Sequence, residues 1–264
     1  MKKMPTEFIF QLFALLIAVI LVHSVYLTVI RPNADAVILE QRAQIETNPD
    51  YIAERSFYVI VRDFEQEACF VLMLWAFSML GYKGWVASRE HKLLLQEFIP
   101  ITDGMRILPE DCREYARPIQ NLPAQERQML LPRVLLSALG RFGATRNVQD
   151  VSSSVHTLIV TEAERLESEL SMIRYIAWAI PSIGFIGTVR GIGSALAQAH
   201  RAVEGDISGV TENLGVAFNS TFIALLISIV LMFIIHQLQL MQERLAFETE
   251  NYVDEHLIRH IQSD

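Results

Sequence analysis

Two apolar runs, Tyr175 to Ala199 and Gly215 to Ile235, are each long enough to cross a bilayer. At ~1.5 Å per helical residue they reach the ~30 Å of a hydrocarbon layer. Each also carries a row of small and hydroxyl residues at helical spacing. Gly184, Thr188, Gly191 and Ala195 share one face of the first run, and Ala217, Thr221, Ala224 and Ser228 one face of the second. Hydroxyls and bare backbone are not what a helix turns toward lipid. They suit close helix packing or a narrow polar path, and the stripes are expected to bury against other subunits. The pattern points to a part of a membrane machine and away from an enzyme.

Two further spans complete the set. Hydrophobic residues make up 52% of the 264, high enough that spans dominate the reading. Residues 8–30 hold no formally charged side chain and are interrupted only by Gln11, His23 and a few hydroxyls. Residues 68–87 follow a charged entry, Arg62 to Glu67. The expected fold class is an all-α integral membrane protein with four transmembrane helices. The first run exceeds the ~7–15 apolar residues of a signal sequence, and a retained span is expected. The two cysteines, Cys69 and Cys112, support neither a disulfide framework nor a metal site, and no cofactor is expected. A net charge of −8 and the lack of a basic stripe argue against nucleic acid as a partner.

Ten Lys and Arg residues lie between 88 and 170, whereas residues 31–67 hold four arginines against eight carboxylates. The positive-inside rule then puts the long segment and both termini on the cytoplasmic side. Three regions are expected: 1–67, the first span with an acidic outer loop; 68–147, the second span with a cytoplasmic helical segment; and 148–264, the core with the third and fourth spans. The loop 31–67 reads as a solvated connection with one short helix. Pro100, Pro109, Pro118, Pro123 and Pro132 divide the cytoplasmic segment into short helices that form no independent globular domain. From Val148, apolar residues recur at three and four up to Ile173, so one amphipathic helix runs into the third span. The fourth span continues past His236 with Leu238, Met241, Leu245 and Tyr252 on one stripe. These long cytoplasmic extensions read chiefly as a local helical bundle; a docking surface for a partner is the sharper alternative.

Several residues are candidates for function. Pro181 shares the face of Gly184 and Gly191. It frees one backbone carbonyl, as a packing kink or as a flexible point beside a pore. Counting from the helix ends puts Thr188 and Thr221 at one level, about 18–21 Å along their helices. Two hydroxyls there can bond each other, a water, or a protonatable group from elsewhere. Ser220 and Asn219 join them as candidate ion-pathway residues, and Gly187, Ala217 and Ala224 as packing positions. The apolar cores of the third and fourth spans hold no Asp, Glu, Lys or His, so a proton path needs a carboxylate from another subunit. Arg190 is the one charge near this level. It either snorkels outward toward Glu204, Asp206 and Glu212, with Glu212 a possible ion-pair partner, or meets a carboxylate of another subunit. His23 sits near the outer interface.

Two motifs carry a family resemblance. Ala179-Ile180-Pro181-Ser182-Ile183-Gly184-Phe185-Ile186-Gly187-Thr188-Val189, after a charged helix, resembles the pore helix of the MotA/TolQ/ExbB proton channel family. Ala217-Phe218-Asn219-Ser220-Thr221-Phe222-Ile223-Ala224-Leu225 is similar to that family's last span. Four spans with a large loop after the second resemble the MotA layout, while Gly-Thr-Val is nearer TolQ and ExbB. The resemblance implies a homopentamer around a dimer of a single-span MotB/TolR/ExbD-like subunit, whose intramembrane Asp faces Thr188 and Thr221. Proton flow would then drive rotation or force transfer, as in a motor stator. Departures are Val216, where a TolQ/ExbB glutamate often stands, with Glu212 a turn further out, then Asn219-Ser220 and Arg190. The rival reading is a non-conducting scaffold that assembles proteins through its stems. A permease with its own substrate site is disfavoured by the lack of midplane charge and of paired broken helices.

Overall fold

The computed structural model describes residues 6–48, 56–100 and 106–262, and no strand occurs among them. Eleven helices follow in order: α1 Thr6–Val25, α2 Arg31–Thr47, α3 Phe57–Ile60, α4 Phe64–Leu94, α5 Cys112–Gln120, α6 Ala124–Arg127, α7 Leu130–Thr145, α8 Val148–Glu169, α9 Ser171–Ala197, α10 Ala199–Val203 and α11 Ser208–Val253. Four stretches are long and apolar enough to cross a membrane: Phe8–Ile45, Phe64–Leu94, Val148–Ala197 and Ser208–Ile258. The all-α, four-span architecture read from the sequence is therefore present.

The first of these departs from expectation. Residues 31–47 form α2, not an irregular connection, and α2 continues α1 through a π-helical turn, Tyr26–Ile30. In that turn the Arg31 N–H bonds the Tyr26 carbonyl five residues back. A widened turn leaves room for the Pro32 ring, which in a regular helix would collide with the preceding turn. Proline punctuation was thus overridden locally. The start of α4 is capped conventionally. The Asp63 N–H donates to Gln66 Oε1 at 2.8 Å, and Gln66 Nε2 donates to the Ile60 carbonyl at 2.9 Å. Glu65 and Glu67 in the first turn suit the positive end of the helix dipole.

The chain divides into two compact units, Met1–Leu80 with Met172–Ile235, and Gly81–Ser171 with His236–Asp264. In the first unit, large apolar side chains such as Phe13, Ile17, Ile20, Phe185, Phe222 and Phe233 stay exposed, which is the surface a bilayer would cover. Its interior holds many alanines, among them Ala18, Ala34, Ala76, Ala177, Ala217 and Ala224, beside larger side chains such as Tyr26 and Ile180. Small residues let backbones approach where no hydrophobic effect drives helices together.

The second unit is organised differently, around a core of large apolar side chains that includes Ile99, Ile107, Ile119, Leu135, Phe142, Val151, Val253 and Leu257. Residues 88–147 build no core from their own side chains alone. They close a core together with α8 and the end of α11, because both amphipathic stripes need an apolar partner. α7 packs against α5 and α8. His156 of α8 meets Glu250 of α11 at 2.9 Å, so the stems form the local bundle. An ion-pair chain crosses the unit: Arg133 to buried Glu162 at 2.6 Å, Glu162 to Arg165, Arg165 to Glu169, and Glu169 to Lys83 at 2.8 Å. The Tyr252 hydroxyl accepts from the Phe98 N–H at 2.9 Å, and the Ile107 N–H donates to the His260 carbonyl at 2.8 Å, fastening the C-terminal segment. Pro123 precedes α6, and Pro132 lies in the first turn of α7, where no N–H is needed, but Pro118 lies inside α5 and does not end it.

Candidate channel site

The small-residue faces of α9 and α11 meet each other within one chain. A Cβ added at Gly184 would lie 2.5 Å from the Ala224 Cβ. One at Gly187 would lie 2.5 Å from the Ser220 Cβ, and one at Gly191 2.8 Å from the Ala217 Cβ. The two helices therefore run antiparallel with backbones in near contact. This corrects the expectation that the stripes bury against other subunits. Their complementary spacing is used up locally, and Gly184, Gly187, Gly191 and Ala217 are buried without any neighbouring copy.

At the edge of this seam the two threonines form a reciprocal staple. Thr188 Oγ1 donates to the Ala217 carbonyl at 2.9 Å, and Thr221 Oγ1 donates to the Gly184 carbonyl at 3.1 Å. Each thus reaches the carbonyl four residues before the other. The two hydroxyl oxygens also lie 2.5 Å apart. A hydroxyl carries one proton, so two protons cannot serve both carbonyls and the oxygen–oxygen contact together. The pair has alternative proton arrangements of similar geometry. Both threonines are half-buried, so this polar spot opens on one side of the seam.

Pro181 is settled in the same seam. Its ring removes the N–H that would have bonded the Ala177 carbonyl. Ser228 Oγ of α11 donates to that carbonyl at 3.0 Å. Ser228 thus fills the bond that Pro181 leaves open, a pairing no local pattern could reveal. Ser220 also differs from expectation: it is buried, bonds back to the Val216 carbonyl at 2.9 Å, and lies under Gly187, away from the open edge. Asn219 is half-buried.

The charged entry of α4 supplies the partners that the sequence left open. Arg190 grips Glu65 with two bonds, Nε to Oε1 at 2.6 Å and Nη2 to Oε2 at 2.8 Å, with Asp63 3.9 Å away. Glu212 is not its partner. That carboxylate meets Arg42 at 2.9 Å and Arg62 at 3.6 Å, while Glu65 at the start of α4 takes the Arg190 fork. Burial pushes the Asp63 carboxyl up, against the opposing pull of Arg62 and Arg190. His23 Nδ1 lies 2.6 Å from Glu67 Oε1, and Arg31 also binds Glu67, so the lone histidine of the first span is tied to a nearly buried carboxylate. Glu65, Glu67 and Arg31 were missed as a group. Their one visible signal is the acidic alternation Asp63, Glu65, Glu67.

Arg190 invites a direct test. Its fork makes two charged bonds to a carboxylate that is only 11% exposed, while the guanidinium itself is 47% exposed. Arg190→Ala is expected to cost about 1.5–3 kcal/mol, read as a lowered thermal midpoint in detergent. Arg190→Lys should recover only part, since an ammonium cannot match the fork. The double change Arg190→Ala/Glu65→Gln should recover more than Lys. An unchanged midpoint for the alanine variant would refute the pairing.

An all-helical chain with four membrane-length apolar helices, two of them seamed by glycines and threonines, is an integral membrane protein. Residues 126–251 match the model of the MotA/TolQ/ExbB proton channel family. No curated protein and no solved structure matches the chain. The matched segment contains α8, α9 and all but the last two residues of α11, and so the whole α9–α11 seam. The family suggests the proton channel of an energy-transducing complex.

Proposed function

We propose that this chain is the channel-forming subunit of an inner-membrane motor, with both termini cytoplasmic. Five copies would surround a dimer of a single-span MotB/TolR/ExbD-like subunit, and the ion-motive force would drive rotation or force transfer. The observation that carries this reading is the half-open pair Thr188–Thr221, whose two protons have more acceptors than they can fill. A carboxylate presented to that pair by the single-span subunit would be met by hydroxyls able to donate or accept without moving the helices. α9 and α11 supply no carboxylate of their own at this level, and Glu65 of α4, beside Gly187, is held by Arg190, so we assign the titrating group to the partner.

One observation favours the rival reading, a non-conducting scaffold: each threonine can be fully engaged by a carbonyl of the facing helix. The two readings separate in proteoliposomes. The complex with its single-span subunit, purified together, should take up protons under an imposed potential, followed by an interior pH dye. Native mass spectrometry of the same sample should give five copies with two partner chains. An intact complex with no uptake in either direction would favour the scaffold. A stable monomer under mild extraction would remove the central pore altogether.

A further inference from the structure

The second unit carries a cleft of about 830 Å³ between α5 and α7, outside the seam and unused by the proposed channel. Arg113 and Arg117, one turn apart on α5, line one side, and Arg146 lies at the end of α7. Among the described residues that line it the only carboxylate is Glu110, 3.9 Å from Arg146, both of them largely exposed. Arg113 and Arg117 are exposed and make no ion pair among the described residues. In a chain of net charge −8, this is a local reversal of sign.

The shape of the cleft narrows what would enter it. Its floor is small and apolar, with Ala116, Leu139, Gly140 and Gly143. A Cβ at Gly140 would meet nothing within 4 Å, so the space above it is open. Arg146 holds a left-handed backbone, φ 53°, at the end of α7, a place usually taken by glycine. Arginines one turn apart match carboxylates one turn apart on a facing helix, and bare floor positions let a helix axis come close. A single phosphate would leave most of this volume empty.

We infer that the α5–α7 cleft is a docking site for an acidic helix of a partner protein, one bearing carboxylates at positions i and i+4. This is independent of whether the chain conducts protons.

The test uses the purified full-length protein in detergent and a fluorescein-labelled, alanine-based 16-residue helix with Glu at every i, i+4 position of one face. Anisotropy should show binding that weakens with salt, while the same peptide with Gln in place of Glu should not bind. Arg113→Glu/Arg117→Glu should weaken binding by about tenfold or more. Gly140→Leu should do the same by filling the cleft, and its open surroundings predict an intact fold, checked by an unchanged thermal midpoint. Arg141→Glu, outside the cleft, should bind as the parent does. Equal binding of the Gln peptide, or parental binding by both the double variant and Gly140→Leu, would overturn the assignment. Displacement of the peptide by inorganic phosphate at lower concentrations than by chloride would reassign the cleft to small anions.

Discussion

Gly187→Val is expected to dismantle the α9–α11 pair. The position has no room: a Cβ there would sit 2.5 Å from the Ser220 Cβ, 2.7 Å from its hydroxyl and 3.2 Å from the Glu65 side chain. The first two atoms belong to a short side chain whose hydroxyl is tied to its own helix, so the neighbour cannot swing aside. Relief requires moving the helices apart. That breaks the Thr188 and Thr221 bonds and withdraws Ser228 from the carbonyl freed by Pro181. Overpacking typically costs ~1–3 kcal/mol, and a site this crowded should lie at or above the top of that range. The variant should yield little folded protein in detergent, and what survives should melt well below the parent. Gly193→Ala is the matched control. A Cβ there meets nothing within 4 Å, and exchanging a helical glycine for alanine gains about 0.5–1 kcal/mol. Parental stability in Gly187→Val would mean that the seam is not packed as described.

Thr221→Val should leave assembly intact and cripple ion-driven activity. The shape is nearly kept, but the donor to the Gly184 carbonyl and the partner of the Thr188 hydroxyl both disappear. The Gly184 carbonyl keeps its own helix bond, so the loss of stability stays near 1 kcal/mol. Transport is hit harder, because the alternative proton arrangements need both hydroxyls. A barrier raised by ~1–3 kcal/mol slows flux roughly 5- to 150-fold. Thr188→Ala should act in the same direction, and Thr221→Ser, which keeps the hydroxyl, should restore most of the flux. Native mass spectrometry would confirm the assembly, and proton uptake by proteoliposomes would read the activity. Parental flux in both Thr221→Val and Thr188→Ala, at equal protein, would reduce the pair to a packing staple.

Much of this molecule was legible along the chain because it depends on short-range regularities. The length of an apolar run decides whether a helix can span a bilayer. The three-and-four spacing of Gly184, Thr188 and Gly191 decides that they share a face. Counting residues was enough to put Thr188 and Thr221 at one level, since rise per residue is constant, and the hydroxyls do meet. The continuation of α11 far beyond the apolar run followed from an unbroken stripe with no proline or glycine in it.

What covers each face was decided only by folding. The stripes looked like surfaces for other subunits, yet they pair within one chain, because complementarity of α9 and α11 is a property of two helices and of neither alone. Arg190 and Glu65 are 125 positions apart, and nothing near either residue specifies the other. Ser228 finds the Ala177 carbonyl across 51 positions for the same reason. Pro32 sits inside continuous helix because a π-helical turn precedes it, a local geometry that residue preferences do not encode. The second core is built from residues 81–171 and 236–264, two segments joined only through the membrane-length helices between them. Periodicity tells which side of a helix must be covered; the identity of the cover is set by which surfaces the closed chain brings within reach.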